Sequence, residues 1–173
     1  AMRWRHQVDL PASVRDALVL DGGERVLAAA ALSGPGPPGA VRYAVGTDLA
    51  LHVPVSEGFE RIRYESILRV SWDQDSSTLI VVRPEPAGQL DLPLAGPGYL
   101  PETVRERVQS TIVYSQHVPL NGARGVLLSA RRAPGAAQAR WTMAFDPGLD
   151  ATDPTLRTRA AQALDEVRAQ TGI

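Results

Sequence analysis

The 173-residue chain contains neither cysteine nor lysine. Without a thiol there is no disulfide, no thiolate metal site and no cysteine nucleophile. Without lysine there is no Schiff-base chemistry and no P-loop to hold a phosphate. All 18 basic residues are therefore arginines. No apolar run reaches the roughly 18 residues that suggest a membrane-crossing helix. A formal net charge of −1 gives no electrostatic reason to expect nucleic acid or an anionic membrane as partner. Met2 reads as the start of the chain, with Ala1 the remnant of a cleaved tag. The following MRWRHQVDLPASV lacks the apolar segment of a signal peptide, so the cytoplasm is the expected compartment.

The familiar catalytic signatures are missing as well. There is no G-x-S-x-G elbow, and no G-x-G-x-x-G opens a helix after a strand. His6, His52 and His117 are the only imidazoles, and none has the H-x3-H or HExxH spacing of a zinc site. Asp146, Asp150 and Asp153 do not follow the D-x-D-x-D-G pattern of a calcium loop, and a distal bidentate glutamate is absent. Asp153 instead suits a helix cap, and Asp146-Pro147-Gly148 suits a turn. No metal and no cofactor is expected, and the chain is not read as an enzyme.

What is present is the composition of a globular protein, 44% hydrophobic and 21% charged, in a chain long enough for one real core with an appended unit. The most informative stretch is 59–82, FERIRYESILRVSWDQDSSTLIVV. It alternates apolar and charged residues, turns at 74–76 and alternates again, the pattern of a half-buried antiparallel meander. Leu68, Val70 and Trp72 share one face, with Arg69, Ser71 and Asp73 on the other. Further strands are predicted at 41–45, 49–53 and 89–94, the last at an edge because of Pro93. Residues 24–32, ERVLAAAAL, suit helix by their alanines but strand by their length and bounding glycines. Strand is preferred. His52, opposite Leu51 and Val53, is expected to be partly exposed.

A short helix is predicted at 9–18, capped by Asp9, and a second at 101–115. The chain then returns to strands at 116–120 and 124–132 about Asn121-Gly122, and at 140–145 with Trp141, Met143 and Phe145 on one face. The last helix, 154–170, has Asp153 before it and Gly172 after it. Its buried stripe is Leu156, Ala160, Ala163, Leu164 and Val167.

Strands from about 24 to 94 followed by a single helix resemble the pleckstrin-homology-like barrel. The segments VGTDLALHV (45–53) and FERIRYESILRVSWD (59–73) are similar to bacterial members, in which a T-D/N turn precedes a strand. The whole chain resembles uncharacterised actinobacterial proteins carrying this domain. The resemblance implies a binding or assembly scaffold. Phosphoinositide-binding members gather basic residues in the first hairpin loop, whereas GPGPPG at 34–39 carries no charge. Headgroup binding is therefore not inferred.

The expected fold is α+β: an antiparallel pleckstrin-homology-like β-barrel closed by a helix, within 1–115, followed by extra strands and a C-terminal helix at 116–173. The expected function is a noncatalytic protein-interaction or assembly module, engaging a protein partner or self-associating. The alternative is a protein binding a small-molecule or lipid-like ligand in the barrel mouth or between the two parts. The residues singled out for a contact patch are Trp4, Arg5, His6, Arg131, Arg132 and Arg140. Trp141, beside Arg140, is assigned to the core.

Overall fold

Ten strands and three helices arise from these patterns in a computed structural model that describes residues 8–34 and 42–173. The first four strands, β1 (Val26–Ala31), β2 (Tyr43–Thr47), β3 (Ala50–Pro54) and β4 (Phe59–Arg63), form one antiparallel sheet in sequential order. After a one-turn 3-10 helix at Tyr64–Ser66, the strands β5 (Arg69–Asp73), β6 (Thr78–Val82) and β7 (Gln89–Pro93) form a second sheet. The alanine-rich stretch is a strand paired with β2, its small side chains alternating between the core, where Ala28 and Ala30 are buried, and the outer face, where Ala29 packs.

The two sheets do not close into one barrel. Among the described residues they join at a single bridge, Leu32 to Leu94, extended by hydrogen bonds from Ala95 N–H to Ala31 O and from Ser33 N–H to Pro93 O. At the opposite corner the 3-10 turn interrupts pairing between β4 and β5. Side chains fill the space between the sheets. Leu51, Tyr64, Ile67, Leu79 and Val81 are fully buried there, and the helix α2 (Leu100–Ser110) adds Leu100 and Val104. Burying a leucine of this kind contributes roughly 1.5–3 kcal/mol. The approach of α2 is close at Gly46, where an added Cβ would meet Leu100 Cδ1 at 3.1 Å and the Tyr64 hydroxyl at 3.3 Å.

α2 ends at Ser110 rather than continuing to 115. Thr111 closes it by donating its hydroxyl to Val108 O at 2.6 Å. The β-branched and aromatic residues that follow then enter strand β8 (Ile112–Asn121), so the expected division at 115/116 falls inside a strand. β9 (Arg124–Arg131) and β10 (Arg140–Phe145) complete a third antiparallel sheet, ordered β10-β9-β8. The helix α3 (Pro154–Thr171) covers one of its faces. All five expected stripe residues of α3 pack there, against Val126, Leu128, Trp141, Met143 and Phe145. Asp153 caps α3 through Thr155 N–H at 2.8 Å, and Gly172 ends it at a φ of 70°.

The N-terminal helix is shorter than expected. α1 spans Ala12–Ala17, with Pro11 rather than Asp9 at its start and no side-chain cap. Leu10 and Val14 press onto Val45 on the outer face of the first sheet. Among the described residues no helix is long and apolar enough to cross a membrane.

Candidate functional site

β5 is the end strand of the second sheet, and its free edge runs beside α2. The gap between them is a trough. One end is a depression of about 250 Å³ with Val70, Trp72 and Leu79 on one wall and Pro101 and Arg105 on the other. It continues past Arg105 into a hollow of about 570 Å³, lined by Leu68, Val82, Val108 and Ile112. Beyond Arg69 a third hollow, about 580 Å³, opens between the β6–β7 hairpin and β10, where Trp141, Met143 and Phe145 contribute. Arg69 separates the last two, its guanidinium lying 3.3 Å from Phe145 O and 3.4 Å from Asp146 Oδ1.

Near Trp72 the trough mixes apolar side chains with Ser71, Glu102 and Arg105, and beyond Arg105 its walls are mostly apolar. Arg105 stands exposed on α2 with no hydrogen bond or ion pair among the described residues, although Glu102 shares its end of the trough. A strand edge offers main-chain donors and acceptors in a row, and the apolar walls offer room for alternate side chains. Compared with family models, curated proteins and solved structures, the chain matches none.

The densest cluster of ionisable groups lies elsewhere, on the outer face of the first sheet. Glu24, just before β1, is buried with a side chain wholly out of solvent. Its Oε1 accepts the Thr47 hydroxyl at 2.5 Å and lies 3.0 Å from His52 Nε2. Its Oε2 accepts from Arg61 Nη1 at 2.5 Å and from Asp21 N–H at 2.9 Å. Arg61 also pairs with Asp21 at 3.0 Å. Burial alone raises the pKa of a carboxyl. Here the donors from Arg61, Thr47, His52 and Asp21 outweigh it and hold Glu24 down at about 2. An ionised carboxylate only accepts, so His52 presents a protonated Nε2 to it. His52 is 1% exposed, a correction to the expected partial exposure. It does lie on the face opposite Leu51, but Glu24 and Arg61 close over that face. None of the trough residues belongs to this cluster, and its bonds are all internal. Its chemistry is that of a clamp holding β1 to β2, β3 and β4.

Arg131 does not belong to the expected contact patch. Arg131 is 3% exposed and points inward. Its Nε donates to Thr111 Oγ1 at 2.8 Å, its Nη1 to Ile67 O at 2.6 Å and its Nη2 to Tyr64 O at 2.9 Å. It therefore ties the third sheet to the 3-10 turn and to the end of α2. Only Arg132 and Arg140 are exposed at that end of the sheet. Trp141 packs with the α3 core, edge-on to Tyr114 at 6.2 Å. Trp4, Arg5 and His6 lie outside the described residues.

The three aspartates of 146–153 turn to separate tasks. Asp146 Oδ2 accepts from Gly125 N–H at 2.7 Å and lies 2.7 Å from His117 Nε2. Asp150 accepts from Thr152, and Asp153 caps α3. The sequence reading missed Glu24 and Arg61 as partners and Arg105 as a groove residue. Glu24 carried one readable signal, a lone acid at the mouth of an apolar strand.

Proposed function

We propose that the protein is a noncatalytic interaction module that takes an extended segment of a partner protein as an added strand along β5, in the trough beside α2. The observation carrying this reading is the free β5 edge facing apolar walls, with Arg105 unpaired among the described residues above it. Main-chain pairing supplies affinity in such an arrangement, and side-chain pockets supply selectivity. The exposed guanidinium of Arg105 favours a segment with a carboxylate at the matching position. The order of the first two sheets and α2, seven antiparallel strands and then a helix, supports kinship with pleckstrin-homology-like domains. That kinship is part of the proposal.

A second reading is a small or lipid-like ligand held between the two parts. The hollow lined by Trp141, Met143 and Phe145 favours it.

The test is selection from a displayed peptide library on the whole chain, followed by mapping of the selected peptide by amide chemical shifts. The expected shifts fall on β5 and α2, and Arg105→Glu weakens binding about tenfold without altering the fold. No selectable peptide, or shifts confined to β10 and the β6–β7 hairpin, would overturn the strand-addition reading.

A further inference from the structure

We propose that β8 is a self-pairing edge, and that two copies of this chain join there through a two-fold axis into one continuous six-stranded sheet. This surface is separate from the β5 trough and does not depend on its role.

The end strands of the three sheets are protected in different ways. β4 carries Glu60, Arg61 and Arg63, β5 carries Arg69 and Asp73, and β7 carries Asp91. β1 has no charge, but its end is bridged to β7. β10 begins at Arg140, and its Phe145 carbonyl is taken by Arg69. β8 carries no such charge or bridge. Its proline and register shifts lie toward its two ends, at Pro119 and between Ile112/Tyr114 and Pro119/Asn121, leaving Ser115 to Val118 regular. At ten residues, IVYSQHVPLN, it is the longest strand, and it contains no Asp, Glu or Arg. Long uncharged edges are the ones that recruit another strand. Val113, on this strand, stands 42% exposed.

The direction of its main-chain groups follows from Gly125. Asp146 N–H donates to Gly125 O at 2.9 Å, and Gly125 N–H donates to Asp146 Oδ2 at 2.7 Å. Both main-chain groups of Gly125 thus face β10. Its register partner in β8 is Pro119. In an antiparallel ladder, opposed residues either bond each other or both turn away. Pro119 therefore turns its carbonyl to the free edge, and His117 and Ser115, at alternate positions, turn out both N–H and C=O. The one residue unable to donate lies at the margin of this run. The His117 side chain reaches across the face to Asp146, so it does not cover the edge.

The occupant that fits is a second β8. Antiparallel pairing about an axis at Gln116 sets each Ser115 opposite the other copy's His117, and each such pair exchanges two hydrogen bonds. A two-fold contact repeats the same residues on both sides, so any charge there would face its own kind. β8 has no permanent charge to oppose.

Sedimentation of the whole chain over a range of concentrations, with amide exchange on the same samples, tests this. The expected result is a dimer at high concentration, with Ser115 and His117 amides slowing as the concentration rises. The amides of Gln116 and Val118, which face β9, should be slow throughout. Ser115→Lys, on an exposed side chain, should weaken the dimer at least tenfold while leaving the thermal transition in place. If that variant fails to fold, concentration-dependent exchange in the unaltered chain decides. A chain that stays monomeric at the highest concentration, a dimer indifferent to Ser115→Lys, or edge amides equally fast at every concentration would overturn the proposal.

Discussion

The first sheet and the joint to the third sheet each bury an ionised side chain, and they satisfy it by opposite means. Glu24 is matched by a cation, Arg61, together with His52, a hydroxyl and a main-chain N–H. Arg131 donates to carbonyl and hydroxyl oxygens and to no carboxylate. Burial lowers its pKa, and Glu65 nearby partly restores it. The first solution is a charge pair that holds neighbouring strands of one sheet. The second is a cage of dipoles, and the oxygens of that cage belong to different parts of the chain. A guanidinium suits that task because its donors spread in a fixed fork. Charge balance serves within a sheet, whereas donor geometry serves between parts.

The largest effect should come from the joint. Arg131→Met strips the donor from Ile67 O and Thr111 Oγ1 in a dry site and leaves Tyr64 O only its bond from Ile67 N–H, at a cost of roughly 3–5 kcal/mol. Arg131→Lys keeps the charge but cannot reach acceptors so widely spread, and should lose most of the same stability. Urea unfolding measures both. A lysine variant close to the unaltered protein would mean that charge, rather than the fork, holds the joint.

Glu24 predicts a pH dependence. A carboxyl whose pKa is lower in the folded than in the unfolded chain adds stability above its unfolded value. That stability is lost as the pH falls through its folded value. The window here runs from about pH 4.5 down to about 2, and it is worth on the order of 3 kcal/mol. Glu24→Gln should be less stable at neutral pH and should remove that part of the acid dependence. An unchanged acid limb in denaturation curves from pH 5 to 2 would assign the dependence to other carboxyls.

Where information is local, the sequence anticipated the structure. The β5–β6 hairpin within 59–82, the Asn121-Gly122 hairpin and the stripe of α3 each depend on neighbours within a few residues, and each formed as expected. The single meander expected over 59–82 is split, because the 3-10 turn at Tyr64–Ser66 sends β4 and β5 into different sheets. The end of α2 was missed because Thr111 and Ile112 continue the helical stripe as well as they begin the alternation of β8. The buried ionic groups were illegible for a different reason. Arg61 meets Glu24 from 37 positions away, and Arg131 meets Ile67 from 64. Nothing near Arg131 in sequence distinguishes it from exposed Arg132. The trough is likewise set by where α2 lies against β5, and Arg105 acquires its place only from that docking.

The comparison can be sharpened with a carboxylate that does similar bonding outside the core. Asp153 accepts from Thr155 N–H at 2.8 Å and Leu156 N–H at 3.4 Å, and it is partly open to solvent. Water can replace those bonds when the side chain is removed, so Asp153→Ala should cost only about 1 kcal/mol, the usual worth of a helix cap. The difference between that loss and the losses at Glu24 and Arg131 measures what burial adds to the same kind of hydrogen bond. Thermal unfolding of the three variants under one condition gives the ranking. If Asp153→Ala proved as costly as Arg131→Met, exclusion of water would not be what makes the joint expensive, and α3 would hold the third sheet through its first turn instead.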